Sequence, residues 1–114
     1  RPPADEAVPE LAGEWKVTGE NAQPLDQIFP MTATAAGGRL TIASDCVSLG
    51  WDYRQDRNVV AFTNPATVEC ARGRTANEIE VEKAIGGANI ALFEDGGKTV
   101  QLSGTGGTVA MSRL

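Results

Sequence analysis

Two thiols, Cys46 and Cys70, and fifteen side-chain carboxylates are the groups through which chemistry could run, and histidine is absent altogether. Without an imidazole, Ser-His-Asp and Cys-His catalysis, His-containing zinc sites and imidazole general bases are removed in one step. An enzyme built on this chain would have to work with carboxylates, lysine or tyrosine. Asp45, Asp52 and Asp56 lie close in sequence. The central glycine and terminal bidentate glutamate of a calcium loop are missing around them, so they read as solvated turn acids. A carboxylate pair for glycoside hydrolysis need only meet in space, and no spacing marks one. Glu78, Glu80 and Glu82 read as the wet face of a helix or strand, with docking of a basic protein as the sharper alternative. G-T-G-G at Gly104 to Gly107 links two strand-like runs rather than a strand and a helix N-terminus, and so reads as a hairpin turn, not a phosphate loop. No catalytic residue, cofactor or metal is expected.

The cysteines admit three states: reduced structural thiols, a redox pair, or a bridge. A redox pair wants a thiolate stabilised by cations, whereas Asp45 and Glu69 beside these sulfurs push the other way, so a structural Cys46–Cys70 bridge is expected. It would close a loop of about 25 residues and contribute on the order of 3 to 3.5 kcal/mol. Arg1 to Glu10 is polar and carries Pro2, Pro3 and Pro9. It reads as a flexible tether, of the kind exposed when a secretion signal is removed, ahead of a single domain over 11–114. A periplasmic, outer-membrane-anchored or secreted location is expected, with a lipid anchor upstream of Arg1 compatible with it. The formal charge of -5 and pI near 4.6 argue against a phosphate-backbone partner, and Arg54/Arg57 and Arg72/Arg74, the local basic pairs, read as solvated turns. No apolar run approaches the ~20 residues of a membrane-spanning helix.

The elements that must position these groups follow from periodicity. Val47, Leu49, Trp51 and Tyr53 alternate with Ser48, Gly50 and Asp52, the period of a strand with one buried face, and Cys46 stands at its entrance. Leu11, Gly13, Trp15 and Val17 share one face of an earlier strand. Pro24 and Pro30 bracket a loop that lays Leu25, Ile28 and Phe29 on the core. Met31 to Ala36 and Arg39 to Ala43 form two strands about Gly37-Gly38. A further strand spans Asn58 to Thr63 and ends at Asn64-Pro65. Thr75 and Glu78 have capping-box spacing, and Gly86-Gly87 supplies a stop, which predicts a helix of about ten residues. Ile79, Val81 and Ile85 nevertheless alternate as a strand would. Glycine pairs at 86–87, 96–97 and 106–107 then punctuate Ile90/Leu92, Val100/Leu102 and Val109/Met111, the pattern of an antiparallel meander. The fold class is α+β, mostly β: a small twisted antiparallel sheet curled towards a barrel and packed by one helix.

L-A-G-E-W near the start, a cysteine opening a strand that ends W-D-Y, T-V-E-C beyond it, a helix containing Glu78, the D-G-G-K-T-V-Q-L hairpin and a final M-S-R-L strand resemble the META, or HslJ-like, domain. The resemblance runs from Leu11 to Leu114. Family members usually carry Gly-Cys-Asn and Met-Ala-Cys at the two cysteines, whereas Asp45-Cys46-Val47 and Val68-Glu69-Cys70 keep only the cysteines, so the likeness is to a divergent member. It implies a compact β-rich domain with one helix, of bacterial envelope lipoproteins or secreted proteins associated with stress, and no catalytic reaction. It also implies that Cys46 and Cys70 pair structurally and that Trp15, Trp51 and Tyr53 are core aromatics. The expected function is a monomeric, non-enzymatic, stress-associated envelope or secreted domain acting by protein interaction or stabilisation. Two alternatives stand beside it: a secreted inhibitor of a basic hydrolase of lysozyme or protease type, steered by negative charge, and a carrier of a small apolar ligand in the barrel mouth.

Overall fold

The computed structural model describes residues 9–21, 30–71, 73 and 75–114, and the backbone of 23–24. Residues 1–8 of the expected tether, Leu25, Ile28 and Phe29 of the expected loop, and Arg72 and Arg74 lie outside the described residues.

Strands β1 (Gly13–Glu20), β2 (Gln23–Pro24), β3 (Met31–Ala36), β4 (Arg39–Ser44), β5 (Val47–Asp56) and β6 (Val59–Val68) precede helix α1 (Ala76–Gly86). Strands β7 (Ala88–Glu94), β8 (Thr99–Gly104) and β9 (Gly107–Arg113) follow it. Each strand pairs antiparallel with the next around the sheet, and β1 pairs with β9 as well as β3, which closes eight strands into a barrel with β2 as a short flap on β1. An eight-stranded closed sheet leaves an interior just wide enough for side chains to fill. Trp15, Val17, Met31, Leu40, Ile42, Leu49, Trp51, Leu102, Val109 and Met111 fill it, all buried. The expected mostly-β architecture with one packed helix is the one observed.

Both ends of the barrel are covered. At one end the N-terminal segment crosses the opening: Leu11 is buried, its N–H donates to Gln55 Oε1 at 2.7 Å, and its carbonyl accepts from the Trp15 indole N–H at 2.8 Å. Arg113 holds the same segment by donating to the carbonyls of Glu10 and Ala12, with its guanidinium 4.1 Å from the Trp15 ring centroid. Pro9 and Glu10 are thus docked against the barrel. At the opposite end lie the turns β4–β5 and β8–β9 and, across them, α1, whose Val81, Ala84 and Ile85 are buried against the core.

Two sequence expectations are corrected, and the phase of one strand, which the meander pattern leaves open, is set. Strand β6 does not end at Asn64-Pro65 but runs on to Val68. The register slips between Gly50 and Asp52, setting Asn64 and Pro65 opposite Trp51, and Asn64 takes a left-handed φ of 52° at this bulge. A bulge accommodates an extra residue, and a proline is tolerated there because β7 pairs with β6 only at Val59–Ile90, leaving the far half of β6 as an edge. Second, the phase of β7 is fixed by a slip between Ala88 and Ile90: Ile90 and Leu92 point outward while Ala91 is buried and Phe93 faces the core. Third, Glu78 is not on a wet face: it is 0% exposed.

The contact of α1 with the β8–β9 hairpin depends on glycine. A Cβ on Gly106 would collide with the Lys83 carbonyl oxygen, and one on Gly104 with the Gly87 carbonyl oxygen. On Gly86, by contrast, the nearest atom lies 3.9 Å away. Gly106→Ala is therefore expected to lower stability by about 1–3 kcal/mol through overpacking. Gly86→Ala should be neutral or stabilising by about 0.5–1 kcal/mol, and urea denaturation of both variants checks the contrast.

Candidate functional site

The two cysteines are joined: Cys46, in the turn after β4, is disulfide-bonded to Cys70 beyond β6, with the Cα atoms 5.7 Å apart. That separation lies within the usual span of a bridge. The bond ties the β4–β5 turn to the segment that leads into α1. A second tie lies next to it. Thr75 caps α1, its hydroxyl accepting from the Glu78 N–H at 3.2 Å while Glu78 Oε1 accepts from the Thr75 N–H at 2.7 Å. The other carboxylate oxygen accepts from the Ser44 hydroxyl at 2.5 Å, the last residue of β4. Glu78 is buried because it serves helix and barrel together, and both of its oxygens are engaged in holding structure.

Asp45, Asp52 and Asp56 do not converge. Asp45 stands in the β4–β5 turn with φ 52°, Asp56 ends β5, and Asp52 accepts from Arg39 at 2.9 Å and from Asn64 at 2.8 Å. Those bonds, that from Asn64 first, hold the Asp52 carboxyl below its ordinary value of 3.8. Among the described residues no group of three ligating side chains could hold a metal ion. Gly104 to Gly107 close the β8–β9 hairpin. Arg54 and Arg57 are exposed.

A cleft of about 260 Å³ opens beside α1, lined by Trp51, Phe62, Pro65, Glu82, Lys83 and Gly86. Its origin is the splayed half of β6: beyond the bulge, Thr67 pairs with Leu49, whose side chain faces the core, so Pro65 and Thr67 turn towards the helix. There the Thr67 hydroxyl donates to Glu82 Oε2 at 2.6 Å. Trp51 forms the floor, 2% exposed and edge-on to Phe62 at 6.5 Å between centroids. On the other side of Phe62, Tyr53 packs tilted at 6.2 Å. Burial, then the Glu10 carboxylate, raises the Tyr53 hydroxyl above its ordinary 10.0.

The two tryptophans differ at their polar atoms. The Trp15 N–H is used internally, on the Leu11 carbonyl. The Trp51 N–H has no acceptor among the described residues, and it retains access to solvent, which the cleft provides. Of the residues singled out from sequence, the structure gathers Trp51 and Glu82 into this cleft, with Tyr53 one ring removed; Trp15 and the cysteines stand apart from it. Phe62, Pro65, Lys83 and Gly86 carried no sequence signal for a shared site, since a bulge and a splayed strand bring them together.

No family model matches this chain, and no curated protein or solved structure does so at a significant level.

One carboxylate is held at a cost. Glu20 Oε2, at the end of β1, is cut off from solvent with no partner among the described residues. Burial, with the Glu80 carboxylate second, pushes the group above its ordinary value of 4.5. A carboxyl raised in the folded state favours folding when protonated and opposes it once ionised. Stability is therefore highest below about 4.5 as regards this group and falls as pH rises through the folded value. Glu20→Gln is expected to raise the thermal midpoint at pH 7, with the gain disappearing below pH 4; melting curves across that range check it.

Proposed function

We propose that this chain is a non-enzymatic domain of an exported protein, envelope-anchored or secreted, that acts by contact with another protein. A disulfide that persists fits an oxidising compartment. No helix among the described residues is long and apolar enough to cross a membrane. The observation that carries the reading is on the barrel's outer wall. Val59 (62% exposed) and Ile90 (43%) are paired across the β6–β7 seam, and Leu92 (49%) is next on the same face. The core has no need of these side chains, and clustered aliphatic groups on an outer wall mark contact surfaces. The resemblance to META domains adds a stress-associated role and is part of the same proposal.

A second reading, inhibition of a basic hydrolase, is favoured by the acidic groups around the helix end of the barrel: Glu20 at the end of β1, Asp45 in the β4–β5 turn, Glu69 beside Cys70, and Glu80 and Glu82 on α1. Negative charge gathered at one end would steer a cationic partner. A photo-crosslinking residue placed at Leu92, at Glu80, or at exposed Thr34 on β3, four strands round the barrel, distinguishes the two in intact producing cells. Adducts from Leu92 and none from Thr34 are expected. Adducts from Glu80 alone would favour inhibition, and equal yields from all three positions would remove both readings.

A further inference from the structure

We propose that the cleft between β6 and α1 is a binding site for a small aromatic carboxylate, a single or fused ring bearing one carboxyl group. The cleft shares no residue with the Val59–Ile90–Leu92 strip, so this site and the protein-contact reading stand or fall separately.

The size of the cleft sets the class. About 260 Å³ falls just below the ~300–1,000 Å³ of drug-sized sites, so one or two rings fit. The walls are flat. Trp51 and Phe62 offer aromatic surface, Pro65 a saturated ring, and Gly86 bare backbone, whose missing side chain leaves the Trp51 Nε1 uncovered.

Polarity then sets the substituent. The Trp51 side chain is almost wholly buried, yet its N–H is satisfied by nothing in the described protein and faces the cleft. A donor that reaches solvent only through the cleft is completed there by water or by a ligand's acceptor, and a ligand that brought only carbon would strip the water from it without replacement. Lys83 lines the same cleft and makes no ion pair among the described residues. Glu82, the acidic residue of the lining, accepts from the Thr67 hydroxyl. The cleft thus offers two donors, one of them charged, beside an apolar slot. An oxygen anion on a flat ring satisfies both, with one carboxylate oxygen accepting from the indole and the other facing the ammonium.

The test uses the two tryptophans as probe and internal control. The full chain, uniformly labelled with nitrogen-15, is titrated with 2-naphthoate, with its neutral counterpart 2-naphthalenemethanol, and with octanoate, while the two indole N–H signals are followed by NMR. The Trp51 signal is expected to move saturably with 2-naphthoate and the Trp15 signal to stay in place, with binding at least tenfold weaker for the neutral ring and for the open chain. Gly86→Leu, which introduces a good helix former and fills the slot, should abolish the shift, and Lys83→Gln should weaken binding about tenfold. A Trp51 signal that does not move, or one that moves equally with octanoate, overturns the proposal. So does undiminished binding by a folded Gly86→Leu protein.

Discussion

The structure depends on how one helix is seated on one end of the barrel. An eight-stranded sheet closed on itself has little edge along its circumference, here only the far half of β6, but it has two open ends through which water would reach the core. At the far end the N-terminal segment suffices, with Leu11 as the stopper and Arg113 holding its backbone. At the near end the opening is covered by α1, and a helix can approach a hairpin closely only where side chains are absent. Gly87, Gly104 and Gly106 provide that absence, bringing the backbone of the helix end against the backbone of the β8–β9 turn. Nothing larger than hydrogen fits between them.

Seating also needs the helix's other end to be fixed, and there polarity is used in place of shape. The Cys46–Cys70 bridge limits how far the segment after β6 can stray, and Glu78 joins the helix cap to the last residue of β4. A carboxylate inside a protein is costly unless its oxygens are bonded, and these are. The two ties sit side by side, so the β4–β5 turn serves as a common anchor. A consequence appears on the flank of the helix. Because β6 follows β5 as far as Val68 and so delivers Cys70 to that anchor, it parts from β7 after a single paired position, and the cleft over Trp51 is the space it leaves.

Much of this was legible in the sequence. The alternation of Val47, Leu49, Trp51 and Tyr53, the Thr75–Glu78 capping box and the glycine pairs each report a local rule, and local rules survive folding. The cysteine pair was legible for a different reason: the acids beside the two sulfurs disfavour thiolates. What was not legible depended on partners far away in the chain. Glu78 reads as solvated until Ser44, 34 residues earlier, is brought beside it. The meander pattern places Ile90 and Leu92 on a strand but on neither face, and the slip after Ala88 decides which. Asn64-Pro65 reads as a stop because proline usually is one, and only the absence of a neighbouring strand along that half of β6 makes it harmless. The cleft depends on the Asn64-Pro65 bulge, which is why no shared site of Trp51, Phe62, Pro65 and Lys83 stood out beforehand.

Native-state hydrogen exchange tests this account most directly, because it reports how far the helix opens independently of the barrel. If α1 is fixed at both ends, the amides of Ala84 and Ile85 in the oxidised protein will exchange only with global unfolding, at the same free energy as those of Leu102 and Met111. Exchange of the helix amides orders of magnitude faster, while β8 and β9 stay protected, would show a helix that opens independently and would contradict the claim that its seating holds the fold together.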